Sequence, residues 1–137
     1  MRFMMLVKSK ESSGPPPKEL MDAMAKLGEE ATKAGSMIES GGLAPAAMST
    51  RVRLAGGKIT AIDGPFAETR ELVGGYAVFE FKSKQEAIES TLNFMELHRK
   101  HWPGWEGETE VRQIFTQQDY TAESGSLQLR QDCFNNS

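Results

Sequence analysis

Short runs of apolar, β-branched and aromatic residues recur along the chain and predict six β-strands. The first run, Arg2–Ser9, is hydrophobic on both of the faces that strand alternation creates. The others are predicted at residues 36–43, 50–54, 58–62, 75–81 and 109–116. Ala55-Gly56-Gly57 separates the third of these six strands from the fourth, so the two are expected to form a hairpin.

Two longer segments have helical periodicity. In the first, which starts after Pro17 and stops at Gly35, apolar residues recur at i, i+4, i+7 and i+11. The second opens with the capping pattern Ser83-x-x-Glu86. Its buried stripe is expected to consist of Ile88, Thr91, Leu92 and Met95.

The predicted order is strand, helix, strand, hairpin, strand, helix, strand, which indicates an α+β fold close to a split βαβ arrangement. Two helices cover one face of such a sheet, and a sheet face in water alternates apolar and polar residues. The first strand does not alternate, and strand 75–81 carries Tyr76 and Val78 opposite its phenylalanines. We therefore expect a homodimer whose sheets pack face to face around a barrel-like space. The alternative is a monomer in which long loops and the tail cover that face.

The composition and charge of the chain limit the classes of function that are expected for it. The 137 residues suit one domain, and the net charge is −3 with scattered basic residues, so no nucleic-acid partner is expected. No apolar run reaches the ~18–20 residues of a membrane helix, and no secretory signal precedes the first strand. The single cysteine, Cys133, fits a cytoplasmic protein. Walker, G-x-S-x-G, H-E-x-x-H and dinucleotide motifs are all missing, and no cofactor is predicted.

The segment richest in charged, polar and glycine residues is IDGPFAETRELVGGY, residues 62–76. Asp63 ends a predicted strand, Pro65 fixes a rigid corner, and Phe66 is expected to bury against the sheet. A group of polar residues follows the corner: Glu68, Thr69 and Arg70. Tyr76 lies in the next strand, where it is either a packed aromatic residue or a proton donor.

Two interpretations of this segment stay open. In the first, the corner holds Asp63 and Glu68 at the mouth of the dimer space, where burial makes one carboxylate a general base. In the second, Asp63 caps a turn and the polar residues form a hydrogen-bonded network that shapes the loop. Asp63 is a catalytic candidate, and the ligand-binding candidates here are Pro65, Phe66, Glu68, Thr69, Arg70 and Tyr76.

The end of the second helix contains the chain's two histidines, His98 and His101, followed by Trp102 and Trp105. The histidines lack the further ligands that a metal site needs, so none is predicted, and the cationic helix end suits the helix dipole. His101 is the second catalytic candidate. His98 and Trp102 are expected to line a ligand pocket, although the tryptophans also suit a dimer seam.

Two arginines on predicted strands complete the candidates. If Arg53 and Arg112 point into the dimer space, they bind an anionic ligand or pair with Asp63 or Glu68. Arg53 is therefore a ligand-binding candidate.

The segment DGPFAETRELVGGY resembles the signature of the YCII-related, or DGPF-domain, family. Further resemblance lies in MRFMMLVKS, ATKAGSMIESGGLAP, RVRLAGGKITAIDGPF, SKQEAIE and GETEVRQIF, which extends it from Met1 to Phe115. The resemblance implies a ferredoxin-like α+β fold, with two helices on one face of the sheet, that dimerises as dimeric α/β barrels do. We expect this domain to span residues 1–116, with 117–137 as a C-terminal extension that is mobile or docked on the partner subunit.

The resemblance implies little about activity. Some relatives resemble partners of, or fusions to, alternative sigma factors, and more distant ones resemble hydrolases with a His–Asp pair in the cleft. The opening strand contains no histidine, so that pair has no match here. Two functions stay open. One is a small-ligand-binding protein or acid–base enzyme with a pocket between the DGPFAET loop and residues 98–105. The other is a non-catalytic dimeric interaction or regulatory module that meets another protein.

Overall fold

The computed structural model describes residues 1–10, 14–66 and 72–117, which form an α+β fold with two helices. The strands are β1 (Arg2–Ser9), β2 (Met37–Gly42), β3 (Thr50–Ala55), β4 (Lys58–Asp63), β5 (Leu72–Glu80) and β6 (Gly107–Ile114). The helices are α1 (Lys18–Lys33) and α2 (Lys84–His101), and a 3₁₀ turn spans Ala46–Met48. The predicted order of elements is confirmed, with small shifts at the ends of the elements.

The strands form two sheets. The larger sheet has the order β2-β5-β1-β6 and is antiparallel at every pairing, and β3 and β4 form a separate hairpin inserted between β2 and β5. Each helix connects two strands of the larger sheet that are not neighbours, an arrangement compatible with the ferredoxin-like fold. Within the described residues, the hairpin does not pack substantially on any other helix or strand.

Both helices begin or end at the signals predicted for them. Gly35 has φ 76°, and the N–H of Ser36 donates to the carbonyl of Ala31 at 3.0 Å, which closes α1 with a glycine-based cap. At the start of α2, the N–H of Glu86 donates to Oγ of Ser83 at 3.2 Å, as the capping pattern predicts. Neither helix, in the part of the chain that the structure describes, is long and apolar enough to span a membrane.

The hydrophobic core lies between the helices and one face of the larger sheet. Phe3 and Met5 of β1 are opposite Phe79 and Ala77 of β5, and all but Ala77 are buried. Leu20 of α1 is fully buried against this layer. Because the side chains of a strand alternate, the neighbours of Phe3 and Met5 in β1 must point to the opposite face.

The predicted buried stripe of α2 is wrong at one position. Leu92 is 60% exposed, and the buried residues of α2 are Ala87, Thr91 and His98, which follow one another at helical spacing. The hydroxyl of Thr91 donates to the carbonyl of Ala87 at 2.8 Å, so this polar side chain is buried with its hydrogen bond made. The most deeply buried positions of α2 are therefore held by small or polar residues, and the larger Leu92 faces outward.

The second face of the larger sheet is apolar in its centre, as the two-faced strands predict. Met4 pairs with Val78 and Leu6 pairs with Tyr76 in neighbouring strands, and all four side chains are half-buried. Both described helices lie on the opposite side, since Thr91 of α2 contacts Met5 there. We call the side that bears Met4, Leu6, Tyr76 and Val78 the open face.

Candidate functional site

The corner that follows β4, at residues 63–66, makes contacts that hold the two strands of the hairpin together at its base. Oγ1 of Thr50 donates to Oδ1 of Asp63 at 2.6 Å across the two strands, and both side chains are exposed. The next residue, Gly64, donates its N–H to the carbonyl of Ser49 at 2.8 Å. A Cβ on Gly64 would overlap the carbonyl oxygen of Ala46, so only glycine fits against the 3₁₀ turn. Asp63 is thus part of a strand-to-strand side-chain pair.

After Gly64 the chain changes direction, and the aromatic ring of Phe66 packs against an arginine. The Gly64–Pro65 peptide is cis, and the guanidinium of Arg51 lies 3.7 Å from the centroid of the Phe66 ring. This distance is that of a cation–π contact. Phe66 is half-buried, and its described ring contact is with an arginine of β3. Arg53, which lies two residues from Arg51 on the same face of the hairpin, is exposed.

The end of α2 forms an aromatic cluster of Phe94, His98, Trp102 and Trp105. His98 is buried, and its ring centroid lies 4.6 Å from that of Phe94 and 4.6 Å from that of Trp105. Nδ1 of His98 lies 3.0 Å from the carbonyl oxygen of Phe94, which can only accept, so Nδ1 donates. Trp102 stacks on Trp105 at 5.9 Å. His98 is therefore packed between aromatic rings, whereas His101 is half-buried outside the cluster.

A glycine makes room for this cluster on the sheet. A Cβ on Gly107, the first residue of β6, would overlap the indole of Trp105 and lie 2.7 Å from the carbonyl oxygen of Lys8. The edge of the Trp105 indole therefore lies against the start of β6. The sequence gives no hint of this contact beyond the short spacing between the two residues.

Tyr76 lies on the open face, where a hydrogen bond and a close contact hold its side chain in place. Its hydroxyl donates to Oε1 of Glu39 in β2 at 2.9 Å, and its ring lies over Gly41, where a Cβ would be 3.0 Å from Cε1. The hydrogen bond to the Glu39 carboxylate raises the pKa of Tyr76 above its ordinary value, and partial burial adds to the effect. The phenol is therefore held protonated and fixed in direction.

An ion cluster of Lys8, Glu110 and Arg112 lies on the other side of the same face. Nζ of Lys8 is 3.0 Å from Oε1 of Glu110, with about a quarter of each side chain exposed, and Arg112 pairs with Oε2 of the same carboxylate. The hydrogen bond from Lys8 lowers the pKa of Glu110, and the charge of Arg112 lowers it further, while partial burial acts in the opposite direction. Two cations share one carboxylate, so the cluster has a net charge of +1.

The register places Tyr76 and the ion cluster on either side of an apolar strip in the centre of the open face, which we call the floor. Leu6 pairs with Tyr76 in β5 and with Glu110 in β6, so the two polar residues flank it in one row of the sheet. Two strand spacings separate them by about 10 Å. Met4 and Val78 continue the floor in the next row. An apolar floor with a few fixed polar groups at its margins is typical of small-molecule sites.

A cavity of about 590 Å³ opens at one end of this sheet. Arg2, Glu80 and Ile114 are among its lining residues, and the register aligns all three in one row of β1, β5 and β6. Glu80 accepts from the terminal amine of Met1 at 3.2 Å and lies 3.4 Å from Nε of Arg2. Because Arg2 and Met4 are two residues apart, this row belongs to the same face as the floor.

The sequence-predicted residues fall into separate groups. Asp63, Pro65 and Phe66 lie in the corner, Tyr76 lies on the open face, and His98 and Trp102 lie in the aromatic cluster. Glu68, Thr69, Arg70, Cys133 and the extension from residue 118 lie outside the described residues. No hydrogen bond or ion pair joins Asp63 to His101 in the described ranges. Within them, no group of three or more His, Cys, Asp or Glu side chains is placed to hold a metal ion.

Sequence reasoning missed Glu39, Gly41, Lys8 and Glu110. Glu110 and Arg112 are two residues apart in a predicted strand, and that spacing alone would have placed both charges on one face. Glu39 and Gly41 gave no such signal, because their relation to Tyr76 depends on which strand pairs with β2.

Comparison with known proteins identifies the family. No curated protein matches the chain. The family model for the YCII-related domain matches residues 1–93, which is more than half of the chain and includes both the corner and Tyr76. The chain therefore belongs to the YCII-related domain family.

Proposed function

We propose that this protein binds a small ligand on the open face of its sheet, in a site that a second copy of the chain closes. The observation that carries the proposal is the pair of polar groups, Tyr76–Glu39 and the ion cluster, on either side of the floor at Leu6. The described helices leave this face uncovered.

The charges of the site favour a ligand with an anionic group. The ion cluster has one positive charge more than its own carboxylate neutralises, and Arg112 is largely exposed, so its guanidinium is accessible to a carboxylate or phosphate. The apolar floor would take the carbon skeleton of such a ligand. The Tyr76 oxygen, whose proton is engaged by Glu39, is free to accept a hydrogen bond from the ligand.

Binding is supported more directly than acid–base catalysis. A phenol whose pKa is raised gives up its proton less readily, which makes Tyr76 a weaker general acid at neutral pH. The two catalytic candidates from the sequence, Asp63 and His101, lie on different elements without a joint hydrogen bond in the described part of the chain.

A second candidate function, a non-catalytic dimeric interaction module, is favoured by the hairpin. Its residues Val52, Leu54 and Ile59 are each exposed by about 70%. Exposed apolar groups of this kind mark contact surfaces.

The domain and its location are part of the same proposal. The domain is proposed to span residues 1–116, because β6, which ends at Ile114, pairs with β1 along its whole length. Gln117–Ser137 would be an extension to it. A cytoplasmic location is supported by the single cysteine, which fits a reducing compartment.

The test is a thermal-shift screen of small organic carboxylates and phosphates, followed by calorimetric titration of each hit. A ligand that binds the native state raises the melting temperature with its concentration. We expect Tyr76→Phe, Glu39→Gln and Arg112→Met each to weaken binding about tenfold or more, since each removes a charged or neutral hydrogen-bond partner. Leu92→Thr, on the exposed side of α2, is the matched control and should bind as the wild type does.

Two outcomes would contradict the proposal. One is a screen in which no carboxylate or phosphate stabilises the wild type. The other is a ligand whose binding is lost in Asp63→Asn and retained in Tyr76→Phe, which would move the site to the corner.

A further inference from the structure

We propose that the ligand of the open face carries a cationic nitrogen at one end and an anionic group at the other, and that Glu39 and Arg112 hold these two ends across the floor. The inference rests on the proposed function, which requires only the anionic group. It adds a second charge to the ligand and fixes where that charge binds.

One row of the open face ends in opposite charges. The register aligns four residues in this row, one from each strand of the larger sheet: Glu39, Val78, Met4 and Arg112. The strands β2 and β6 are the two edges of the sheet, so a carboxylate ends the row on one side and a guanidinium on the other. Three strand spacings separate the two residues by about 14 Å, with the apolar floor between them.

The charge of Glu39 has no counter-ion among the described residues. Oε1 of Glu39 accepts from the hydroxyl of Tyr76 at 2.9 Å, and that partner is uncharged. No cation of the described ranges forms an ion pair with Glu39. Glu110 differs, because Lys8 and Arg112 both pair with it. The β2 side of the floor therefore has a charge of −1 from its one carboxylate, and the ion cluster on the β6 side has a charge of +1.

Hydrogen-bonding capacity divides in the same way. The Tyr76 proton is directed at Oε1 of Glu39, which leaves Oε2 and the phenol oxygen as acceptors. Both oxygens of Glu110 already face cations, so the ion cluster offers the remaining N–H donors of Arg112 and Lys8. A primary ammonium, which has only donors, complements the β2 side, and a carboxylate or phosphate complements the β6 side.

An organic cation suits the β2 side better than a metal ion does. A bound metal ion requires several oxygen, nitrogen or sulfur ligands, and no group of three or more His, Cys, Asp or Glu side chains is placed for this in the described part of the chain. The half-buried side chains of Met4, Leu6 and Val78 give a connecting carbon chain an apolar surface. The class of ligand is therefore a long amphoteric molecule, such as an ω-amino acid.

The experiment titrates the full chain calorimetrically with matched compounds: octanoate, ω-aminooctanoate and octylamine, then butanoate and ω-aminobutanoate. We expect ω-aminooctanoate to bind at least about fivefold more tightly than octanoate, because its ammonium pairs with the exposed Glu39 carboxylate. Apolar burial alone predicts the reverse order, since the ammonium replaces part of an apolar chain. The shorter ω-aminobutanoate does not reach both sides of the floor, so it should show no such preference over butanoate.

Three variants assign the two ends of the ligand. In Glu39→Gln the preference for ω-aminooctanoate over octanoate should disappear, whatever the change in overall affinity. Glu108→Gln is the matched control, because Glu108 is an exposed carboxylate of β6 outside the row, and it should keep the preference. Arg112→Met should weaken octanoate and ω-aminooctanoate by about the same factor and leave octylamine unchanged. Circular dichroism checks that each variant is folded.

Several results would overturn this inference and leave the proposed function in place. Octanoate that binds as tightly as ω-aminooctanoate would mean that the β2 side takes no cation. A preference that survives in Glu39→Gln would place the cationic end elsewhere. Ligands found in the screen of carboxylates and phosphates, with no binding of ω-aminooctanoate, would also exclude the amphoteric class.

Two further results have a different meaning. Octylamine that binds as tightly as ω-aminooctanoate would show that the anionic end makes no contact, which contradicts both this inference and the proposed role of Arg112. If neither the screen nor this series contains a compound that binds, the open face is not a ligand site and both proposals are wrong.

Discussion

The hydroxyl of Tyr76 donates a 2.9 Å hydrogen bond to the carboxylate of Glu39 across Gly41, which lies beneath the tyrosine ring. The bond joins two strands, β5 and β2, on the face that the described helices leave open. It fixes a phenol at the margin of an apolar floor, opposite an ion cluster built on β1 and β6. The open face therefore has ordered polar groups on both sides of its centre.

Removing the Glu39 charge should lower the pKa of Tyr76. In Glu39→Gln the carboxylate that favours the protonated phenol is gone, so the pKa should fall back toward its ordinary value of 10.0. Phenolate absorbance against pH measures it, with Tyr76→Phe giving the curve of Tyr120, the other tyrosine. Since the folded pKa lies above the ordinary value, the stabilisation by this pair is present below pH 10 and is lost as the pH rises through the folded pKa. An unchanged titration curve in Glu39→Gln would contradict this assignment.

The ion cluster should make stability sensitive to acid. The pKa of Glu110 lies below its ordinary value of 4.5, so the stabilisation is present above pH 4.5 and is lost as the pH falls through the folded pKa. Urea unfolding from neutral pH to below 4.5 should show a steeper loss of unfolding free energy in the wild type than in Glu110→Gln. Glu108→Gln, an exposed neighbour in β6, should behave as the wild type. Equal slopes in the wild type and Glu110→Gln would show that the cluster does not act on folding.

A methyl group at Gly107 should destabilise the fold. The added Cβ would overlap Trp105 and approach the Lys8 carbonyl, and such overpacking costs about 1–3 kcal/mol. Gly74→Ala is the control, because a Cβ there meets no atom within 4 Å. It should lose no stability and gain up to about 1 kcal/mol from reduced backbone entropy in the unfolded chain. Urea unfolding measures both, and similar stabilities for the two variants would mean that Trp105 does not lie on β6 in solution.

The two histidines should differ in their effect on stability. His98→Ala removes a buried ring between Phe94 and Trp105 and should cost about 2–4 kcal/mol of unfolding free energy. His101→Ala, three residues later and outside the aromatic cluster, should change stability by no more than about 0.5 kcal/mol. Thermal and urea unfolding compare the two. A costly His101→Ala with a neutral His98→Ala would reverse the assignment of the packed side of α2.

The order of elements was predictable because it depends on local patterns. Alternation, helical spacing and caps each act within a few residues, and Gly35 and Ser83 mark helix ends in the structure as they do in the sequence. The rotation of α2 was not predictable from hydrophobicity alone. Leu92 is more apolar than His98, but His98 is buried because aromatic rings from before and after it in the chain surround it.

The candidate site also has some features that the local sequence predicts and others that only the tertiary structure decides. Pro65 and Gly64 predict a corner from their own backbone properties, and Tyr76 is placed opposite the phenylalanines by alternation in its strand. That Gly64 is needed for contact with Ala46, and that Tyr76 meets Glu39, depends on segments distant in the sequence.

The sequence by itself determined the family, the six strands and two helices, and the presence of a second apolar sheet face, since these follow from local residue patterns and from a specific motif. Only the tertiary structure decided which polar groups share that face. Strand order brings Lys8, Glu39, Tyr76 and Glu110 together from four strands, and the register aligns their side chains. The physical reason is that a strand's own alternation sets which residues share a side, while its neighbours are chosen by packing across the whole sheet.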